Sequence, residues 1–156
     1  MHMQRLIFLF FTIILFSACN NGSIKTTEFD LIKYGISLTV TAPENAILTQ
    51  PSDNSEVWIV DSTSNFSIQV RKALSLTNDI AKVKEEELSL VKSTTGFAKI
   101  VKETDNGFIF EENFGETSYD FRYCVVQGDN KYIFQKIFTS DPTLEEVENM
   151  FKIISQ

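Results

Sequence analysis

The chain has 156 residues, in which 14 Lys and Arg stand against 21 Asp and Glu, and its formal net charge is −7. Nucleic acid and anionic lipid headgroups are bound through basic patches, so this balance argues against a nucleic-acid partner. The single histidine is His2; without it, no Ser-His or Cys-His catalytic pair and no His-containing zinc site can form.

The first residues are typical of an export signal. An eleven-residue apolar run from Leu6 to Phe16 follows Arg5 and leads into Ser17-Ala18-Cys19. A permanent membrane helix needs about 20 apolar residues, whereas a positive start, a short apolar centre and small residues before a cut indicate a signal peptide. The pattern resembles a bacterial lipoprotein signal, which implies cleavage before Cys19 and three acyl chains on that residue. An ordinary secretory signal and an uncleaved N-terminal anchor are the alternatives.

This interpretation divides the chain into a signal peptide (1–18), a lipidated N-terminus with a flexible polar tether (19–27) and one domain (28–156). Stable anchoring takes at least two acyl chains, so we expect a membrane-bound envelope protein. Asn20 follows the cysteine where some bacteria use Asp for inner-membrane retention, which favours the periplasmic face of the outer membrane. Loss of Arg5 leaves a net charge of −8, and Cys124 has no disulfide partner except the lipidated cysteine.

Alternation and turn residues predict strands in the first half of the domain. The four predicted strands are Phe29 to Tyr34, Ile36 to Thr41, Val57 to Val60 and Phe66 to Arg71. Tyr34-Gly35 is the expected turn between the first two, and Pro43 and Pro51 bound a segment without regular structure. The continuous apolar run of the third strand is typical of a strand covered on both faces.

In the second half, Ile80, Val83, Leu88 and Val91 fall at helical spacing and predict a helix from about Asn78 to Ser93. Four strands joined by tight turns follow, at Phe97 to Glu103, Gly107 to Glu112, Tyr119 to Gln127 and Lys131 to Phe138. A closing amphipathic helix is expected, with Asp141 as its cap and Pro142 as its first residue. Its apolar stripe is Leu144, Val147, Met150, Phe151 and Ile154.

These elements predict an α+β fold, a mainly antiparallel sheet of about six to seven strands packed by two helices. Gly35 to Val40 followed by Pro43, the internal helix, Gly107-Phe108-Ile109 before a long hairpin, and a last helix ending at Phe151 to Ser155 resemble the PsbP-like superfamily. That group includes an extrinsic photosystem II subunit, a nuclear-import factor that binds a GTPase and many bacterial envelope lipoproteins. The resemblance implies an α/β/α sandwich, binding rather than catalysis, and no shared site.

Carboxylates are densest in the hairpin of the strands Gly107 to Glu112 and Tyr119 to Gln127, at Glu111, Glu112, Glu116 and Asp120. A calcium loop needs several oxygens at fixed spacing around a turn glycine, and no such loop is present in the sequence. We therefore expect a solvated hairpin edge, with a divalent-cation site or a catalytic carboxylate pair as alternatives. Glu85-Glu86-Glu87 is expected to be mainly exposed helix surface.

Three further features, one residue pair and two single residues, have two interpretations each. Lys84 and Glu87 lie three residues apart within the apolar arc of the first helix and could pair. In one interpretation the stem of Lys84 lies on the sheet and its ammonium group reaches water. In the other, the charged pair lines a groove between the helix and the sheet. Cys124 is expected to be a buried filler, with a thiol activated by Arg122 as the alternative. Trp58 is expected in the core, with an exposed binding anchor as the alternative.

The sequence thus predicts a lipid-anchored envelope protein whose domain binds a protein partner without chemistry. We assign no catalytic residue, no cofactor and no metal ligand. The alternatives are a carrier of a small apolar ligand, with a pocket between helix and sheet, and a hydrolase that works through carboxylates.

Overall fold

A computed structural model describes residues 24–51 and 55–156. The predicted signal peptide and the lipidation site at Cys19 therefore lie outside the described residues. Within the described residues, no helix is both long enough and apolar enough to cross a bilayer.

The described part of the chain folds into nine strands and two α-helices. They are β1 (Thr26–Asp30), β2 (Thr39–Pro43), β3 (Ile47–Thr49), β4 (Glu56–Asp61), β5 (Phe66–Leu74), α1 (Ile80–Lys92), β6 (Phe97–Glu103), β7 (Gly107–Asn113), β8 (Thr117–Gln127), β9 (Asn130–Lys136) and α2 (Leu144–Ile154). Seven strands form one sheet in the order β3-β4-β5-β9-β8-β7-β6, and β1 pairs with β2 in a separate sheet. Every pairing is antiparallel. The predicted α+β fold is confirmed.

The main core lies between one face of the large sheet and the layer formed by α2 and the β1–β2 pair. Alternate residues of β5, Phe66, Ile68 and Val70, point into this core together with Val147 and Phe151 of α2. The predicted α2 stripe is buried, except that Leu144 is only partly buried and Ile153 joins it. The ring of Phe151 meets Phe121 and Tyr123 edge-on, at centroid distances of 6.0 and 5.8 Å.

The opposite face of the large sheet is covered by α1, which packs mainly on β8. Val83 of α1 contacts Cys124 and Ile133 there. The helix begins at Ile80, two residues after the predicted start, and is capped by the Asp79 side chain, which accepts a hydrogen bond from the backbone N–H of Ala81 at 3.0 Å. Strand β4 and the first part of β5 lie away from this helix in the strand order, and their side chains on this face are half-exposed or exposed.

The N-terminal strands differ from the prediction. β1 ends at Asp30 and a 3₁₀ turn takes up Ile32–Tyr34, so the predicted strand from Phe29 to Tyr34 is wrong beyond its first residues. The turn ends at Gly35, whose φ of +75° is accessible to glycine at low cost. β2 consequently starts at Thr39 rather than Ile36, and β1 includes Thr26 and Thr27 of the expected tether.

Two other predictions are corrected, one by strand pairing and one by local capping. The segment between Pro43 and Pro51 contains β3, which pairs with β4. The cap of α2 is Thr143, not Asp141: Thr143 and Glu146 exchange hydrogen bonds in a capping box, and Pro142 precedes the cap.

Candidate binding face

The β4 strand is buried on one face only, contrary to the prediction from its continuous apolar run. Val57 and Ile59 have no solvent exposure, whereas Trp58 and Val60 on the opposite face are half-buried. Trp58 is therefore not in the core. It lies on the part of the sheet beside α1, where the ring is only half-buried. This environment agrees with the alternative interpretation of Trp58 as a binding anchor.

Trp58 belongs to a row of half-buried polar side chains that crosses three strands. Trp58 pairs with Gln69 of β5, and Gln69 pairs with Gln135 of β9, so the three side chains share one face. Glu56 lies on the same face, two residues before Trp58. We call Glu56, Trp58, Gln69 and Gln135 the Trp58 face.

Hydrogen bonds fix the orientation of these side chains. Glu56 accepts from the indole Nε1 of Trp58 at 3.1 Å with one carboxylate oxygen and from Nε2 of Gln69 at 2.5 Å with the other. Gln135 donates in turn to Oε1 of Gln69, with 3.4 Å between the two atoms. The indole ring is thus held in place before any ligand arrives, which lowers the entropy cost of binding.

The Trp58 face continues into a cavity at one end of the sheet. This cavity has a volume of about 420 Å³, and Gln135 lines it together with Arg122, Asp120 and Glu112. The rings of Phe114 and Phe138 also line it, and they are 65% and 94% exposed.

Asp120 is buried in the cavity wall and is engaged by several donors. Its Oδ2 atom accepts from the Arg122 guanidinium at 2.6 Å, and its Oδ1 atom accepts from the backbone N–H groups of Phe121 and Lys136 at 2.7 and 2.9 Å. The guanidinium also donates to the carbonyl of Phe121 and lies over the Phe110 ring, 5.2 Å from its centroid. Asp120 therefore joins β8 to the end of β9 and has little capacity left for a reacting group.

Glu112 lies near Asp120 but in a different electrostatic setting. Burial, and then the negative charge of Asp120, raise the pKa of the Glu112 carboxyl above its usual value, while Lys136 and Arg122 oppose the shift. Such a carboxyl holds its proton to a higher pH than an exposed glutamate.

The predicted acidic cluster is divided between the two faces of the hairpin. Glu112 and Asp120 share the cavity, whereas Glu111 pairs with Tyr119 on the other face and forms a salt bridge to Lys99 at 3.1 Å. Glu116 is exposed in the turn after β7. Among the described residues, no group of three or more His, Cys, Asp and Glu side chains has an arrangement that could hold a metal ion.

The structure gives Lys84 and Glu87 different partners. Lys84 donates to Glu103 and to the carbonyl of Thr104, both at 2.9 Å, at the far end of β6. Glu87 is buried and bonds to Lys131 of β9 at 3.3 Å and to Arg71 of β5 at 3.7 Å. Side chains three residues apart on a helix point about 60° away from each other around its axis, and here each one reaches a different strand. Lys84 and Glu87 therefore do not form the pair that the sequence suggested.

Cys124 is fully buried between α1 and the sheet. Burial, followed by the nearby charge of Glu87, raises the pKa of the Cys124 thiol to about 12. The lowering effect of Arg122 is small beside the effect of burial. This environment is that of a space-filling thiol.

Sequence reasoning named Trp58 but missed Glu56, Gln69 and Gln135. The alternation of Ser67, Gln69 and Arg71 with apolar residues does indicate a polar face on β5. It does not tell which strands lie beside it. Comparison of the chain with protein-family models finds no match, and comparison with curated proteins finds no significant match.

Proposed function

We propose that the protein is a lipid-anchored envelope protein whose domain binds a protein partner through the Trp58 face, without catalysing a reaction. The observation that carries this proposal is the half-exposed Trp58 ring, oriented by Glu56 on a part of the sheet beside α1. Tryptophan is enriched among the residues that dominate protein–protein binding energy. Its ring offers a large rigid contact area at low entropy cost.

A non-catalytic role fits the chemistry of the nearby groups. The Asp120 carboxylate is bonded to Arg122 and to two backbone N–H groups, and the Cys124 thiol stays protonated at neutral pH. After removal of His2 with the signal peptide, the domain has no imidazole to act as a general base.

The binding test compares the mature acylated protein with two variants. Partners are first recovered by crosslinking from detergent extracts and then titrated with wild type, Trp58→Ala and Leu90→Ala. Leu90 is a matched control because it is 58% exposed on α1, away from the Trp58 face. We expect Trp58→Ala to weaken binding roughly 30-fold, as for an interface hot spot of about 2 kcal/mol. Equal affinities for all three proteins would reject the Trp58 face as the binding site.

The anchor is tested separately, at Cys19. The proposal places three acyl chains on this residue, which is enough for stable anchoring, and it favours the periplasmic side of the outer membrane because Asn20 stands where some bacteria use Asp for inner-membrane retention. Mass spectrometry of the membrane-extracted protein should show the acylated N-terminus, and Cys19→Ala should abolish both acylation and processing. An unmodified N-terminus at or after Cys19 would rule the anchor out.

A carboxylate-based hydrolase is the second candidate, and one observation favours it. Glu112, with its raised pKa, shares a cavity of about 420 Å³ with Asp120, and two carboxyls in unlike environments are typical of acid–base sites. The test assays the wild-type protein and two variants for hydrolysis of a panel of ester and glycoside substrates. Activity that is lost in Glu112→Gln but kept in Trp58→Ala would favour this candidate. The cavity is lined by five charged residues, Glu112, Asp120, Arg122, Lys136 and Asp141, so it gives no comparable support to a carrier of apolar ligands.

A further inference from the structure

The N-terminal segment leaves the domain at a defined end of the large sheet. Ile24, the first described residue, lines a small cavity of about 170 Å³ together with Asp61, Thr63 and Ser64. These three residues belong to the end of β4 and the turn to β5. The chain that leads back to Cys19 therefore starts beside the β4–β5 turn, and we call this end of the sheet the tether end.

Antiparallel pairing places two exposed aromatic rings at the same end. Asp61 pairs with Phe66 at the β4–β5 turn, and two residues further along β5, Ile68 pairs with Lys136 at the end of β9. Phe138 follows two residues after Lys136 and is 94% exposed. The turn after β7 carries Phe114, which is 65% exposed, at the same end of the sheet.

The length of the connecting chain limits how far the tether end can be from the lipid. Positions 19 and 24 are five residues apart, and a fully extended chain spans at most about 18 Å over that length. The three strand steps from β5 to β7 in the sheet order correspond to about 14 Å. Both rings therefore lie at the end of the domain that an acylated Cys19 holds close to the membrane.

We propose that the tether end rests on the bilayer surface, with Phe138 and Phe114 inserted among the lipid headgroups. This inference depends on the acylation of Cys19 proposed above. Exposed Glu116 and Asp141 flank the rings, so the expected surface is zwitterionic rather than anionic. The strands would then stand away from the membrane, and the Trp58 face would point sideways, open to a partner.

The contact can be weak and still determine the orientation. Because the acyl anchor already holds the domain at the membrane, the contact between the rings and the bilayer is intramolecular, and no free energy is needed to bring the domain there. A tenfold preference for the docked orientation requires about 1.4 kcal/mol. That is less than the transfer free energy of one fully buried Phe side chain.

Matched controls are available at the other end of the sheet. Leu76 follows the end of β5 there and is 101% exposed, so it is as apolar and as accessible as Phe138 but lies away from the anchor. For labelling, Thr139 is exposed next to Phe138, and Asn78 is exposed close to Leu76. The native Cys124 is buried, so thiol dyes will react with an introduced exposed cysteine.

The test uses the mature acylated protein in phosphatidylcholine vesicles, with an environment-sensitive dye on Thr139→Cys or on Asn78→Cys. We expect iodide to quench the dye at position 139 roughly tenfold less than the dye at position 78. The ratio follows from a roughly tenfold preference for the docked orientation, in which position 139 is shielded by the membrane. Phe138→Ser should remove this difference, whereas Leu76→Ser should leave it unchanged. Thermal melts check that each variant remains folded.

Three other outcomes would each overturn the inference. Equal quenching at positions 139 and 78, in acylated protein that floats with the vesicles, would show that the domain has no preferred orientation, while the proposed anchor would stand. Shielding of position 139 only after a purified partner is added would show that the rings bind protein instead of lipid. Absence of acyl chains in the mass spectrum would reject the anchor itself, and the docked orientation with it.

Discussion

Glu87 of α1 and Lys131 of β9 are 44 residues apart in sequence, yet their side chains bond at 3.3 Å beneath the helix. The Glu87 side chain is 4% exposed, and that of Lys131 is 17% exposed. Arg71 adds a second positive charge, 3.7 Å from the other Glu87 oxygen. The carboxylate thus links α1 to β5 and β9, on the face where the helix covers only part of the sheet.

We expect Glu87→Ala to lower the free energy of unfolding by about 2 kcal/mol, because a buried charged bond is lost and Lys131 keeps its charge without that partner. Glu86→Ala is the matched control: Glu86 also bonds to Lys131, at 3.2 Å, but is 55% exposed. Exposed pairs contribute about 0.5 kcal/mol or less. Urea unfolding measures both variants, and equal effects would mean that burial of Glu87 adds no stability.

Gly107 is required by a close backbone approach. A Cβ atom at this position would lie 2.3 Å from the carbonyl oxygen of Arg122 and 3.0 Å from the Phe151 ring. A backbone atom cannot move aside as a flexible side chain can, so Gly107→Ala should cost about 3 kcal/mol, the upper range for overpacking. Gly128→Ala is the control, because a Cβ atom at position 128 would meet nothing within 4 Å. The only cost there is the left-handed backbone with a φ of +57°, which destabilises a non-glycine residue by about 1 kcal/mol. Comparable losses in the two melts would contradict the steric argument.

The capping box of α2 should make stability depend on pH. Hydrogen bonds from the backbone and side chain of Thr143 lower the pKa of Glu146 below its ordinary value of 4.5. A carboxyl with a lowered folded-state pKa stabilises the protein above its ordinary pKa, and this stability is lost as the pH falls through the folded-state pKa. Thr143→Ala should cost about 1 kcal/mol at neutral pH.

The difference between wild type and Thr143→Ala should shrink when unfolding is measured at about pH 3 instead of about pH 7. The hydroxyl bond to Glu146 that the substitution removes is charge-assisted only while Glu146 is ionised, and the backbone N–H bond at position 143 is kept in both proteins. A difference that is the same at both pH values would indicate that the Thr143 hydroxyl alone caps the helix.

Cys124 should be inert in the folded protein. With a pKa of about 12 and no exposure, the thiol contributes almost no thiolate at about pH 8 and admits no reagent. We expect iodoacetamide to leave it unmodified until urea unfolds the domain, when one thiol reacts. Fast modification of Cys124 under native conditions, located by peptide mass spectrometry, would show that α1 opens readily.

Local patterns predicted both helices and the three hairpins from β6 to β9, because helical spacing and turn residues act between near neighbours. The sequence also contains the capping-box signature Thr143-x-x-Glu146, which the prediction from Asp141 and Pro142 did not use. The environment of Trp58 could not be predicted in this way. Val57 to Val60 is apolar at every position, so its pattern does not distinguish the core face from the face beside α1. The partners of Lys84 and Glu87 likewise depend on strands distant in sequence.

The last helix should contribute a large share of the stability through Phe151. Its ring is 3% exposed and packs edge-on against Phe121 and Tyr123. Truncation of a buried Phe costs about 3–5 kcal/mol, against a total stability of about 5–15 kcal/mol for a typical domain. Phe151→Ala should therefore leave the domain marginally stable, whereas Glu148→Ala, on the exposed side of the same helix, should change the urea midpoint little. If Phe151→Ala were nearly silent, α2 would be a detachable arm, and its apolar stripe would have to be assigned to partner binding instead of the core.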